Sequence, residues 1–435
     1  MSYCRITGRP LTRCDYRTVT KKLPIYEAAL SYDGVLVFVD ILVPDGEGWH
    51  LIEVKSSTKV KDYHKPDASI QTWVARQMGV VILKTSIGCI NNQFVYSGGE
   101  DYEGLFYLTD ITSDSENLIP SVTNWVSEAR NTLSGKEPKL EMGDQCTSPF
   151  SCPFMDYCQP AKEQLPIYPV TDLPNSKKIV TELLAEGFQD LKAVPEERLT
   201  NVVHKRIREA VVTEKPYISS DVAKLIGDID YPRYHLDFET IAFTVPQWVG
   251  TRPYQAIPFQ WSCHIEHTSG SITHREFLAE AGEDPRRKCA QSLFELFSEK
   301  GPVIAYNAGF ERGRILELAD LFPEYAQKLK EVATWIVDLL SITKAHYYHP
   351  DMHGSWSIKY VLPTIAPELS YDGMHVADGN MAQDTFSKLM SDDLSEEEII
   401  NEREALLRYC ERDTLAMVKI THFFANSAGS LPDKE

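Results

Sequence analysis

Three acidic stretches in the C-terminal half carry side chains able to hold divalent cations: HLDFET (235–240), AYNAGFE (305–311) and YCERD (409–413). Asp237 and Glu239 are two apart where the sequence reads as strand, so both point to one face. Glu311 opens a predicted helix after a short apolar strand, with Asn307 just ahead of it. Tyr409 and Asp413 are four apart, one turn along a single helix face. Hard carboxylate oxygens converging on one point suit Mg2+ or Mn2+, and two such ions bridged by a phosphodiester favour attack of water on phosphorus. One acidic pair is ordinary solvated surface. Three in order, each on the right kind of element, predict a site.

A second arrangement lies nearer the N-terminus. Asp40 ends one predicted strand, and Glu53 and Lys55 share a face of the next, in the pattern D…E-x-K. Asp and Glu would hold the metal; the lysine would orient water or neutralise charge developing on a phosphate. Glu27 on the preceding segment, and Asp67 and Gln71 on the following helix, are further polar contacts. An E-x-K alone is most often an exposed ion pair. Asp40 at hairpin distance favours the metal-binding reading.

Cys146, Cys152 and Cys158 recur at intervals of six in CTSPFSCPFMDYC. The chain has 9 cysteines, an odd number, and its start lacks an apolar signal-peptide core. The expected compartment is the cytoplasm, where clustered thiolates read as ligands for zinc or an iron–sulfur cluster rather than as disulfides.

The elements that must position these residues fall into three regions. Residues 1–160 alternate strands with a helix: strand material over 25–43, a turn at 44–48, a strand over 49–57, a helix over 66–79 and a strand over 80–88. Residues 161–229 read as a helical linker lobe, with two short helices around a glycine in 181–199 resembling, faintly, a phosphate-binding helix pair. Residues 230–425 alternate strands and helices again, and 426–435 reads as a disordered tail. The stretch HYYHPDMHGSWSIKY (346–360) reads as a loop. Its aromatics either stack on substrate, with Lys359 near phosphate, or pack the loop, and His346, His349 and His353 lack the spacing of a helical metal site.

The composition fits a globular protein with no membrane span. Net charge is −19, and residues 230–435 alone hold 19 basic and 32 acidic residues, net −13. That balance argues against tight, sequence-independent grip on duplex. A protein that holds strand ends through metals and a few cations remains consistent with it.

The segments YEAALSYDGVLVFVDIL, LIEVKSSTKVKDYHKPDASIQ and QCTSPFSCPFMDYC resemble the RecB-like nucleases of the PD-(D/E)XK superfamily. The similarity is to the iron–sulfur branch, which includes the CRISPR-associated adaptation nucleases. It implies that Asp40 and Glu53 are metal ligands, Lys55 the catalytic lysine and Gln71 the helix glutamine. A tyrosine expected four residues after Gln71 is Ala75 here. The resemblance also implies a [4Fe–4S] cluster on Cys146, Cys152 and Cys158, with zinc as the alternative. The fourth ligand is then Cys4 or Cys14, or is missing. The spacing departs from the branch's usual pattern, and the helical lobe expected upstream is short.

The segments YHLDFET, FQWSCHIE, VIAYNAGFERGRILELA, VDLLSI, YYHPDMHGSWSIKYVLP and YCERDT resemble an uncharacterised bacterial family that fuses a RecB-like domain to a DEDD, RNase H-like exonuclease domain. The implied fold class is α/β: a restriction-endonuclease-like domain, the linker lobe and an RNase H-like domain. Asp237, Glu239, Glu311 and Asp413 would be the carboxylates, Asn307 would support the second motif and Tyr409 would orient the attacking water. The second motif usually ends in Asp, so Glu311 reaches with a longer arm or Asp338 contributes. The implied activity is metal-dependent hydrolysis of DNA or RNA, 3′–5′ at the C-terminal site. The alternative is a nucleic-acid-binding scaffold with one or both sites inactive.

Overall fold

The computed structural model describes residues 3–4, 9–10, 23–158, 166–371, 373–391 and 393–427. Cys14 and most of the 426–435 tail lie outside these residues, and of Cys4 only the backbone is described, in the short strand Tyr3–Cys4. The chain is a mixed α/β protein in two compact units. The first comprises Met1–Gln159 and Phe243–Gln255; the second comprises Pro160–Ala242 and Ala256–Glu435.

In the first unit, β1 (Ile25–Tyr32), β2 (Val35–Asp45) and β3 (Gly48–Lys55) form a meander. Its first turn places Asp33 and Gly34 at positive φ, the conformation Asp and Gly tolerate best. Helix α1 (His64–Gln77) then crosses to β4 (Ile82–Ile90), which pairs parallel to β3, and β5 (Phe106–Asp110) closes the sheet antiparallel to β4. The strand order is β1-β2-β3-β4-β5. Helix α2 (Thr112–Ser134) packs beside α1, and Leu42, Leu51, Trp73, Val74, Ile82 and Val122 meet in the core. Ile41 faces Ile52 across β2 and β3, and this register sets Asp40 beside Glu53. The segment Phe243–Gln255 is fixed to this unit by hydrogen bonds between Tyr96 and the backbone of Gly250 and Thr251, and from the Tyr102 hydroxyl to the Pro246 carbonyl at 3.2 Å.

The second unit begins with α3 (Lys177–Ala185), α4 (Val202–Thr213), β6 (Tyr217–Ile218) and α5 (Val222–Gly227). Only one helix forms in 181–199, where two were expected. Gly187 turns the chain at φ +90°, and the second helix is replaced by a pair of single 3₁₀ turns, Leu191–Ala193 and Glu196–Arg198, separated by Pro195. Nor do residues 166–229 stand apart as a lobe. Val170, Leu183, Ile207 and Val222 share one apolar core with Tyr348, Trp356, Met417 and Phe424.

The main sheet comes next: β7 (Arg233–Ile241), β8 (Ile257–Glu266), β9 (Ile272–Leu278), β10 (Val303–Ala305) and β11 (Ile336–Asp338). The order is β9-β8-β7-β10-β11. The first three strands are antiparallel, and β10 and β11 run parallel to β7 and to each other. Along β7, Tyr234, Leu236 and Phe238 enter a core with Trp261, Leu293 and Ile315, contributed in part by α6 (Arg286–Leu296) and α7 (Ala308–Leu321). The alternate residues His235, Asp237 and Glu239 take the other face, where the long helix α8 (Glu396–Ala425) lies. Its start, Ser395 with Glu398, is a capping box, and Ser262 on β8 bonds Thr414 on the helix at 2.9 Å. Among the described residues no helix is long and apolar enough to cross a membrane.

Candidate metal centres

In the second unit, Asp237, Glu239, Glu311, Tyr409, Asp413 and Lys359 line one cavity of about 180 Å³. Strand alternation supplies Asp237 and Glu239, the first turn of α7 supplies Glu311, and one turn of α8 supplies Tyr409 and Asp413. All the C-terminal residues expected from the sequence to carry metal are therefore brought together. Asn307 sits at φ 88° as the residue before α7, and its N–H and that of Ala308 donate to Asp338 Oδ1 at 3.3 and 3.4 Å. Asp338 also caps the helix Leu339–His346 through the Leu340 N–H. It is thus engaged by backbone donors, and Glu311 is the carboxylate in the cavity.

The charges are held against their preference. Burial, with Asp413, Glu239 and Glu311 adding repulsion, pushes the Asp237 carboxyl well above the usual range, against a smaller opposing hydrogen bond from Cys410. Burial and then Asp413 push Glu239 up to about 8. Burial and the nearby Asp338 push Glu311 up to about 8, outweighing the backbone and Arg314. Burial raises Asp413 to about 6, with Tyr371, Lys359 and Tyr409 holding it lower than it would otherwise be. Glu311 Oε2 is buried with no hydrogen-bond partner among the described residues. Four crowded carboxylates, one with an orphaned oxygen, fit a divalent cation: positive charge at this point would satisfy the oxygen and remove the repulsion.

Two residues of this site were not singled out by spacing. The Tyr371 hydroxyl donates to Asp413 Oδ1, and Cys410 Sγ lies 3.9 Å from Asp237 Oδ2. Cys410 lies in the YCERD stretch between Tyr409 and Asp413 and is fully buried; Tyr371 lies in a loop with no periodic signal. Lys359 Nζ donates to the Ala377 carbonyl at 2.6 Å and stands 5.8 Å from the ring centres of both Tyr371 and Tyr409. The ligand atoms of Asp237, Glu239 and Cys410 lie within 4.8 Å of one another, and a second such group, His264, His274 and Glu411, also escaped the sequence reading.

In the first unit, Asp40 Oδ2 accepts the Val54 N–H at 2.6 Å, which ties the carboxylate to the strand carrying Glu53 and Lys55. Lys55 Nζ donates to Glu53 Oε1 at 2.6 Å, and Gln71 Nε2 donates to Glu53 Oε2 at 2.6 Å. Burial pushes Glu53 up to about 7; Lys55 and Gln71 oppose the shift and Asp40 adds to it. Burial alone would lower the Lys55 ammonium, but its bonds to Asp67 and Glu53 outweigh that and raise it. Gln71 Oε1 is buried without a partner among the described residues. Glu27 is exposed, at φ 52° on β1. Asp40, Glu53, Lys55 and Gln71 thus meet as expected, with Asp67 joining them through Lys55.

Cys146, Cys152 and Cys158 are free thiols: Cys146 ends a 3₁₀ turn, Cys152 lies in the loop after it, where its N–H donates to the Cys146 carbonyl at 2.8 Å, and Cys158 ends the short helix Met155–Cys158. They are not among the groups whose ligand atoms converge within 4.8 Å. His346, His349 and His353 do not converge either: His349 caps a 3₁₀ turn, and His353 Nδ1 pairs with Asp172 at 3.0 Å. Tyr347, Tyr348 and Trp356 are buried and pack the core, whereas Tyr360 at the end of that stretch is exposed.

The chain is similar to the uncharacterized protein MG366 homolog of Mycoplasma pneumoniae, 25% identical over 210 residues, 44% of this chain and 32% of the relative. It is also similar to the uncharacterized protein UU173 of Ureaplasma parvum, 30% identical over 140 residues, 28% of this chain and 20% of the relative. The chain thus spans about a third or less of the length of these curated relatives. No solved structure matches it. Residues 234–357, which hold Asp237, Glu239 and Glu311, match a family described as a domain of unknown function (DUF2779).

Proposed function

We propose that the chain is a metal-dependent nuclease with two sites. The C-terminal site belongs to an RNase H-like exonuclease domain of the DEDD class, and the N-terminal site to a RecB-like PD-(D/E)XK domain. The observation that carries this reading is the convergence of Asp237, Glu239, Glu311 and Asp413 on one cavity with their carboxyls raised and Glu311 Oε2 orphaned. The strand order β9-β8-β7-β10-β11, with the acidic strand β7 central, supports it. The meander β1–β3 followed by a helical crossover to β4, with Asp40, Glu53 and Lys55 at its heart, supports the second site.

Asp237, Glu239, Glu311 and Asp413 would hold Mg2+ or Mn2+ in the C-terminal site, and Asp40 and Glu53 in the N-terminal one. Bound there, the metal supplies a water of lowered pKa and a counter-charge for the phosphate. Tyr409, buried one turn before Asp413, presents a neutral phenol to that water; burial and the neighbouring Asp413 keep its proton on. Lys55 and Lys61, which line a groove in the first unit, and Lys359, which lines the cavity in the second, would offer cations to the backbone of a strand. Lys55, kept protonated, stabilises charge developing on the phosphate.

The test is cleavage of 5′- and 3′-labelled single-stranded DNA and RNA with Mg2+ or Mn2+, comparing the parent with Asp237→Asn, Glu53→Gln and the double variant. Loss of one product pattern in each single variant and of both in the double variant is expected. No metal-dependent cleavage by the parent would favour a binding scaffold with inactive sites.

A further inference from the structure

Beside Lys55 the first unit opens a groove of about 720 Å³, lined among others by Lys61, Tyr63, Phe150, Thr244 and Tyr254. Its aromatic rings come from three separate stretches of chain. Tyr63 precedes α1, Phe150 sits at the tip of the cysteine loop, and Tyr254 comes from the Phe243–Gln255 segment that folds with this unit. Phe150 is 65% exposed and Tyr254 38% exposed, although neither is needed to cover the core. Tyr63 and Phe150 meet edge to face with ring centres 5.0 Å apart, and Lys61 Nζ lies 5.6 Å from the Tyr63 ring centre. The Tyr254 hydroxyl donates to the Ser56 carbonyl, fixing its ring next to Lys55.

The groove is less acidic than the chain as a whole. In a protein of net charge −19, it is lined by Lys55, which Asp67 and the buried Glu53 hold in place, and by a second cation, Lys61, beside the Tyr63 ring. Exposed rings interleaved with lysines, leading to a lysine that bonds a buried carboxylate, match a strand whose bases stack while its phosphates pass the cations. A duplex keeps its base faces covered and presents only its backbone, which this acidic chain is poorly suited to grip.

We propose that this groove binds single-stranded nucleic acid, stacking bases on Tyr63, Phe150 and Tyr254 and delivering a phosphate to Lys55. The proposal rests on the nuclease reading for the fate of the strand, but its binding step is tested without catalysis.

Binding of a labelled oligothymidylate and of the matching oligouridylate to the full chain is read by fluorescence anisotropy in the presence of a metal chelator. Phe150→Ala and Tyr254→Ala are each expected to weaken binding about tenfold, equivalent to about 1.4 kcal/mol. Thermal melting of both variants should match the parent, because both rings are exposed. A halogenated-uracil strand should photo-crosslink to Tyr63, Phe150 or Tyr254. Unchanged affinity in both variants, with no crosslink at the three rings, overturns the proposal; so does a blunt duplex that binds as tightly and loses as much in the variants. Binding lost in the variants of a chain that shows no metal-dependent cleavage sinks the nuclease reading and keeps the groove. Cleavage by the first unit with binding indifferent to both variants does the reverse.

Discussion

Lys55, at the end of β3, reaches Asp67 in the first turn of α1, with its ammonium 2.5 Å from Oδ2. The same ammonium is 2.6 Å from Glu53 Oε1, so a strand and a helix both fix the position of one proton donor. Lys55→Ala should lower cleavage by the first unit by about 10²–10³, the usual cost of removing one donor that faces developing charge. Asp67→Asn should cost less, about tenfold, because Glu53 still orients the lysine. Both are read in an Asp237→Asn background, which silences the second unit. Parental rates in Lys55→Ala would move the site elsewhere.

Crowding at the C-terminal site predicts a gain in stability where function is lost. In the metal-free protein Asp237 is raised by burial and by three neighbouring carboxylates. Asp237→Asn puts a neutral group of the same shape in that cluster, so folding no longer has to take up the proton that the buried, crowded Asp237 carboxyl requires. Metal-free Asp237→Asn should melt above the parent, by about 2–4 °C for each kcal/mol of relieved repulsion, while its exonuclease rate falls by orders of magnitude. Scanning calorimetry with a chelator present measures the shift. A melting temperature below the parent's would mean that Asp237 is not under the strain assigned to it.

Much of this was legible from residue spacing, and the remainder depended on tertiary contacts. Period-two alternation placed Asp237 with Glu239 and Glu53 with Lys55, and the four-residue step placed Tyr409 with Asp413. The partners of those groups were not legible. Tyr371 reaches Asp413 from a loop 42 residues away, and no local pattern marks such a residue. His264 and His274 face each other only because β8 and β9 pair in that register. The segment 161–229 read as a lobe because its helices are short and punctuated by Pro and Gly; its apolar residues find their partners in distant elements such as α8.

The raised carboxyls fix the sign of the pH response. Glu239 and Glu311 lose their protons near pH 8 and Asp413 near 6 in the metal-free fold, above their ordinary values of 4.5, 4.5 and 3.8. Through that window the folded chain holds more protons than the unfolded one, so metal-free stability falls as pH rises to about 8 and then levels. Bound Mn2+ takes the place of those protons. The rise in melting temperature on adding Mn2+ should therefore grow between pH 6 and 8, and titration calorimetry in buffers of different ionisation enthalpy should detect protons released on binding. A Mn2+ shift that is flat with pH would exclude these carboxylates as its ligands.

Phe150 lies between Cys146 and Cys152 and lines the groove beside Lys55, so a metal held by the cysteine loop would bear on the proposed strand binding. Four thiolates around one zinc, with Zn–S of about 2.3 Å, stand about 3.8 Å apart. The three sulfurs here do not all lie within 4.8 Å of one another, so the loop is not closed around a single zinc; iron is the expectation that the resemblance of this segment to the iron–sulfur nucleases carries. Anaerobically purified protein is expected to be brown and to contain iron. Cys152→Ser should bleach it and free the loop that presents Phe150. Strand binding should then weaken about as much as in Phe150→Ala, and the double variant should be no weaker than either single one, because both changes remove the same ring from the groove. Colourless protein with stoichiometric zinc would decide for zinc. Protein with neither metal, or losses that add in the double variant, would separate the cysteines from the groove.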